Sequence, residues 1–330
     1  MPTPRCPCGN RLFPGNSACT ACGSLVGWCD ACCQQSVLVG EGNEHCSRCN
    51  CRVALCPNRR DFDVCTSFVP IERDAQLCSL CQTSILVPDK SDADAVRLWR
   101  LAEAAKRRLL FELDRVGLDS AWREQAPALR FKFPVDQPDK QFVTGHAEGV
   151  ITINLKEADS VHREAERLRM GEPQRTLIGH LRHEFGHYLD LRASRDAAWL
   201  GQRTSLFGDA EVVDYPSALE RHYEQGPPAD WPDHYISPYA ASHPWEDFAE
   251  TAAFYLDMRA VLDTLAEWDY LDDPVSTDFE TALHQFESTA IVLNEVNRTM
   301  GLVDLVPQVV PPAVVEKLRL IDAAIRVTRQ

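Results

Sequence analysis

The sequence predicts an α+β fold in two parts, a mainly helical domain with a small sheet preceded by a cysteine-rich module. Three observations carry this. All 14 cysteines of the 330-residue chain lie between Cys6 and Cys81. Turn-forming residues crowd that same stretch and apolar ones are sparse, whereas beyond residue 90 apolar residues recur at helical spacing, broken by two short alternating runs. Composition therefore divides the chain into a module at 1–88 and a domain at 91–330, and a hydrophobic content of 45% suffices for one sizeable core with a smaller attachment.

Within 1–88, Pro-Cys-Gly, Cys-Gly-Ser and Cys-Pro-Asn are turn formers, so this segment cannot build a conventional core. From Asp92 to about Val116, Val96, Trp99, Leu109, Leu110 and Leu113 follow a helical period, with Ser91 as the expected N-cap and Gly117 as the stop. Strands are expected at Leu129 to Phe133 and Gly149 to Leu155, where apolar residues alternate. A charge-rich helix is expected over 156–169, and a second from about Arg175 to Ala198, just after Pro173. A long polar loop containing Pro216, Pro227, Pro228, Pro232 and Pro238 comes next, before helices at about 244–258, 276–299 and 312–327.

The net charge of -15 supplies no positive field for a phosphate backbone, and residues 1–90 are no exception, with eight basic residues against eight acidic. Nucleic acid is accordingly not an expected partner. The first residues carry no signal-peptide pattern, and no run reaches the roughly 20 apolar residues of a membrane span. The expectation is a cytoplasmic protein without a membrane association, in which paired cysteines read as metal ligands before disulfides.

The central motif is His183-Glu184-Phe185-Gly186-His187. Residues four apart on a helix lie about 40° apart around its axis, so His183 and His187 share a face and can hold one Zn²⁺. Glu184 is placed to act as a general base on a water held at that metal. A catalytic zinc takes a third protein ligand and keeps one position open. A third histidine six residues after the second is excluded, since that position is Ala193. In Trp245-Glu246-Asp247-Phe248-Ala249-Glu250 two carboxylates stand one turn apart. Glu246 is the expected ligand, with Glu250 accepting a hydrogen bond from the other ring nitrogen of His183. Glu250, Asp209, Glu211 and Asp214 remain alternatives for the ligand. His180 and Asp190 flank the motif by one turn and suit supporting roles, and His146 and His243 are further residues that can line a substrate site.

These residues resemble the gluzincin metallopeptidases, and the run from Tyr239 to Glu-Asp-Phe-Ala-Glu is similar to the catalytic domain of anthrax lethal factor over about residues 180–255. The resemblance implies a zincin-like domain in which Glu246 is the ligand and Tyr239, seven residues upstream, steadies the transition state; a packed loop aromatic is the other reading of Tyr239. The whole chain resembles bacterial zinc-binding metallopeptidases with an N-terminal zinc-ribbon region, through its Cys-x-x-Cys pairs, Thr-Gly-His146 before Gly-Val-Ile-Thr-Ile-Asn, and Asn-Arg298-Thr-Met-Gly. The expected activity is peptide hydrolysis of a protein or peptide substrate, with an edge strand at Val150 to Leu155 holding the substrate by strand addition. Two other classes stay open: a nucleic-acid-associated protease resembling the SprT-like enzymes, and a catalytically silent zinc scaffold.

Twelve cysteines group in fours: Cys6, Cys8, Cys19 and Cys22; Cys29, Cys32, Cys46 and Cys49; Cys56, Cys65, Cys78 and Cys81. Cys33 and Cys51 are left over and can replace members of the second set. The third set departs from the usual spacing, because eight residues separate Cys56 from Cys65. Closed Cys₄ sites leave no place for water, so up to three structural zincs are expected beside one catalytic zinc. The module then either recognises a partner or substrate, or serves only as a stabilising cap.

Overall fold

The computed structural model describes residues 4–13, 15–73, 76–118, 127–271 and 278–328. The architecture is α+β, as the sequence predicts, with short strands in the first half and long helices in the second. No helix among the described residues is long and apolar enough to cross a membrane. The chain forms two compact units, one of residues 1–111, 130–145 and 150–170, the other of residues 112–129, 146–149 and 171–330.

In the first unit, five short strands pair in the order His45–Cys46, Gln34–Val39, Val26–Cys29, Phe68–Pro70, Val53–Leu55. The apolar residues are too few for a core of their own. One small cluster is Leu12, Val26 and Val37 with Cys6 and Cys19; another is Val53 and Phe68 with Cys29 and Cys46. Cysteine sulfur is thus part of the core, which ties the folding of this region to whatever holds the sulfurs. Gly27 is required by close approach: a Cβ there would lie 1.8 Å from the Thr66 carbonyl oxygen and 2.6 Å from Arg59 Nη1. Through that gap Arg59 donates to Thr66 O at 2.8 Å and Ser17 O at 3.1 Å.

Ser84–Leu86 is a strand of a second sheet. It runs parallel to Arg130–Lys132, which runs parallel to Val150–Thr152. The strand order ends with Ser84–Leu86 on one side and Gly145–Ala147 on the other, so Val150–Thr152 is internal and not the expected edge strand. Helix Ala93–Arg115 packs here through Lys106, fully buried, whose Nζ donates to Leu80 O at 2.9 Å and Ser84 Oγ at 2.6 Å and pairs with Glu103 at 2.8 Å. Trp99 Nε1 and Ser84 Oγ donate to the other Glu103 oxygen. The buried charges thus face each other, with hydrogen bonds on Lys106 Nζ and on one Glu103 oxygen, as burial of charge demands a partner. The N-cap of that helix is Asp92, which accepts from the Asp94 and Ala95 amides; Ser91 instead donates to Asp89. Gly117 follows the helix with φ 83°.

The second unit is helical. Helix Leu177–Ala193 starts where Thr176 Oγ1 accepts from Gly179 N at 3.0 Å and ends earlier than the sequence suggests. The cause is Asp196, whose carboxylate caps a separate helix, Ala197–Phe207, by accepting from Trp199 N. The expected long loop also contains a helix, Tyr215–Gln225, capped by Asp214 and closed by Gly226 at φ 77°. Pro216 sits in its first turn, where a missing N–H costs nothing. Helices Pro244–Glu267, Phe279–Thr299 and Pro312–Thr328 complete the unit. Residues 276 and 277 of the expected helix at 276–299 lie outside the described residues.

Helix Leu177–Ala193 and helix Pro244–Glu267 meet at Gly186 and Ala249. A Cβ at Gly186 would lie 2.7 Å from Ala249 Cα and 2.8 Å from its carbonyl oxygen, so only glycine permits this approach. Gly186→Val is expected to cost about 1–3 kcal/mol by overpacking. Chemical denaturation should register that loss, together with weaker binding of metal at the residues flanking the contact.

Candidate metal centre

The helix crossing at Gly186 brings the motif face against the carboxylate face of helix Pro244–Glu267. His183, His187 and Glu246 each present a ligand atom, all within 4.8 Å of one another. Glu246 Oε2 lies 3.0 Å from His183 Nε2 and 3.6 Å from His187 Nε2. Zinc bonds near 2.0 Å in tetrahedral geometry set neighbouring ligand atoms about 3.3 Å apart, so the spacing fits. Glu246 Oε2 is buried without an aligned hydrogen bond, and acceptor atoms that converge in this way are satisfied by a cation.

Two of the three candidate ligands, His183 and Glu246, are held from behind by a polar side chain. His183 Nδ1 lies 2.6 Å from Glu250 Oε1, which fixes the proton on Nδ1 and leaves Nε2 free as a donor to metal. Ser237 Oγ donates to Glu250 Oε2 at 2.7 Å. Tyr215 donates to Glu246 Oε1 at 2.7 Å. The His187 ring packs on Trp245 with centroids 4.5 Å apart, and its Nδ1 has no hydrogen-bond partner among the described residues. Tyr239 stands 6.0 Å from the His183 ring and 5.9 Å from the His222 ring, centroid to centroid.

Glu184 is buried, and its Oε2 has no hydrogen-bond partner among the described residues. Burial raises its carboxyl above the ordinary value, against the pull of His183 and His187. Burial also pushes Glu246 upward, but the two histidines outweigh it and hold that carboxyl well below the usual carboxylate range. The Tyr239 phenol is raised by burial, with the Glu246 charge adding to it, so it stays a hydrogen-bond donor.

Asp209, Glu211 and Asp214 are not in this cluster: Asp209 accepts from the Glu211 amide and Asp214 caps its helix. Asp190 pairs with Arg203 at 3.0 Å rather than orienting His187. His243 caps helix Pro244–Glu267 by accepting from Trp245 N, with its Nε2 3.1 Å from Val213 O. His146 Nε2 accepts from Gly149 N, and burial followed by the His187 charge lowers this imidazole to about 4. Tyr215, Ser237 and Trp245 complete the surroundings of the site; no spacing rule in the sequence marks Tyr215 or Ser237.

The cysteines assemble in three sets: Cys6, Cys8, Cys19 and Cys22; Cys29, Cys32, Cys46 and Cys49; Cys56, Cys65, Cys78 and Cys81. Sulfur separations are 3.5 Å for Cys6–Cys22, 3.7 Å for Cys8–Cys19 and Cys65–Cys78, and 3.9 Å for Cys29–Cys49 and Cys32–Cys46. A tetrahedron with Zn–S near 2.3 Å has edges of about 3.8 Å, whereas a disulfide would be near 2.05 Å. Backbone amides of Ala21 and Cys22 lower the Cys19 thiol to about 6, which favours the thiolate a metal needs. Cys33 and Cys51 are exposed and belong to none of the three sets.

Comparison with known proteins agrees with this donor chemistry. Residues 4–92 match a zinc-ribbon domain, and residues 95–324 match the family described as "Putative zinc-binding metallo-peptidase". Uncharacterized proteins of Mycobacterium tuberculosis and Mycobacterium bovis are 39% identical, over 97% of this chain and 94% of their own length. No solved structure matches. The chain belongs to this zinc-binding metallopeptidase family, with a zinc-ribbon domain ahead of the peptidase region.

Proposed function

We propose that the chain is a gluzincin-like peptidase that hydrolyses a peptide bond at His183, His187 and Glu246, with Glu184 as general base. The observation that carries this reading is the convergence of three ligand atoms beside a buried carboxylate oxygen that has no other partner among the described residues. The chemistry a zinc ion supplies when bound there is Lewis-acid polarisation of an oxygen and acidification of water.

The protein's own groups do the rest. Glu184 takes the proton of the attacking water and returns it to the leaving amine. Tyr239, a neutral donor at working pH, gives a hydrogen bond to the oxyanion that develops on the scissile carbonyl. Glu250, itself held by Ser237, keeps His183 in the ligand tautomer. The three cysteine sets are structural zinc sites in this proposal, and the module they build recognises a protein substrate or partner. The setting is the reducing cytoplasm, where the 14 free cysteines stay available to metal.

Metal analysis with cleavage of a proteome-derived peptide library tests the assignment. Wild type should carry about four zincs per chain, one in the peptidase site and three in the module. Glu184→Gln should keep them all while losing a factor of about 10²–10⁴ in turnover. Glu246→Ala should lose one zinc, and full retention would remove Glu246 from the ligand set. Tyr239→Phe is expected to lower kcat by about 10²–10³ with KM little changed; an unaltered kcat would mean the phenol does not reach the oxyanion. Phe13 and Leu25 are exposed apolar residues on the module. Changing both to Ser should raise KM for a folded protein substrate but not for a short peptide, and equal effects on the two would leave the module a cap.

A further inference from the structure

Glu246 has two oxygens with different work. Oε2 faces both imidazole Nε2 atoms, at 3.0 and 3.6 Å, while Oε1 accepts the Tyr215 hydroxyl at 2.7 Å. Tyr215 reaches that oxygen from an ordered base. It begins helix Tyr215–Gln225, directly after the Asp214 cap, and its ring stands edge-on to His243 at 5.0 Å and to Trp245 at 5.8 Å between centroids. His243 in turn is fastened to the backbone on both sides, at Val213 O and at Trp245 N. The phenol ring is therefore flanked by His243 and Trp245, three and one residues before Glu246, and His243 is itself tied to the backbone at Val213, two residues ahead of Tyr215.

We propose that Tyr215 is a positioning residue for the metal: by engaging Glu246 Oε1 it keeps that carboxylate a one-oxygen ligand and leaves a coordination position open for water. This rests on the reading of Glu246 as a ligand. Both oxygens of an unrestrained carboxylate are equivalent, and one that rotates to bind zinc through both would fill the position the reaction needs. A hydrogen bond to one oxygen removes that equivalence. Tyr215 and Tyr239 thereby divide the labour of two phenols near one site, the first fixing a ligand and the second facing the substrate.

The test measures metal affinity and ligand geometry rather than turnover alone. Tyr215→Phe removes only the hydroxyl and keeps the ring against His243 and Trp245. Zinc at the peptidase site should bind about 10–100-fold more weakly, as measured by chelator competition on the full chain. Co²⁺ placed in that site after mild chelation, with the Cys₄ sites still filled by zinc, should show weaker visible absorption as coordination rises above four. In a Glu246→Ala background, Tyr215→Phe should have no further effect on affinity. Unchanged affinity and spectrum for Tyr215→Phe, or an equal loss in the Glu246→Ala background, would overturn the proposal. Failure of the ligand assignment reads differently, as wild-type affinity in Glu246→Ala alone.

Discussion

The close approach of two helices at Gly186 and Ala249 is the constraint on which the metal centre depends. Gly186 lies between His183 and His187 in the chain, and Ala249 lies between Glu246 and Glu250. The backbones therefore touch between the paired donors of each helix, three residues after the first and one before the second. Side chains one turn apart share a face, so a contact at that point delivers two imidazoles from one helix and two carboxylates from the other to a common volume. A larger residue at 186 would push the helices apart, and the ligand atoms would separate with them.

Such an approach has to be held against the cost of burying charge. Each metal-facing residue has a buried ion pair close by in sequence. Arg182, next to His183, is held by both Glu112 oxygens at 2.8 and 3.0 Å and by Asp257. Asp190, three residues or about one turn beyond His187, pairs with Arg203. Asp247, next to Glu246, accepts from Lys317 Nζ at 2.6 Å, and Lys317 also donates to His234 O. Burial raises Asp247 to about 6 with Lys317 opposing the rise, so its charged form depends on that partner. Buried pairs of this kind add little net stability, but they penalise any packing that leaves one member alone. Their position beside the donors makes them a means of selecting one helix register.

How much of this was legible in the sequence follows from the range of each interaction. The His183–His187 face is local, since helical periodicity alone sets it, and Glu246 with Glu250 repeats the same spacing on a second helix. The α+β class and the three cysteine sets were equally accessible, because pair spacing and composition are short-range signals. Element ends governed by one capping side chain were not: Asp92 rather than Ser91 caps the first long helix, and Asp196 ends one helix by starting another. Helix Tyr215–Gln225 was hidden because only Ala218 is buried on it and Pro216 reads as a breaker. With that helix unseen, the partner of Glu246 Oε1 was unseen too, for it lies 31 positions away with no spacing rule to connect the two.

The same chain thus carries candidate donor sets of two chemical kinds, and their chemistry explains why they would not interchange. Four cysteines close a site: every corner of the tetrahedron is sulfur, and the sulfurs of Cys56, Cys65, Cys78 and Cys81 belong to residues that are all buried. Such a centre substitutes for an apolar core, as the small clusters built around Cys6, Cys19, Cys29 and Cys46 require. Two imidazoles and one carboxylate leave a corner vacant, and they need an external scaffold because three donors from two helices do not fold anything by themselves. The helical unit supplies that scaffold through Gly186, the ion pairs beside the donors, and the hydroxyls of Tyr215 and Ser237. Where the metal makes the fold, its ligands can be crowded into turns; where the fold must make an open metal site, every ligand needs a second residue to hold it.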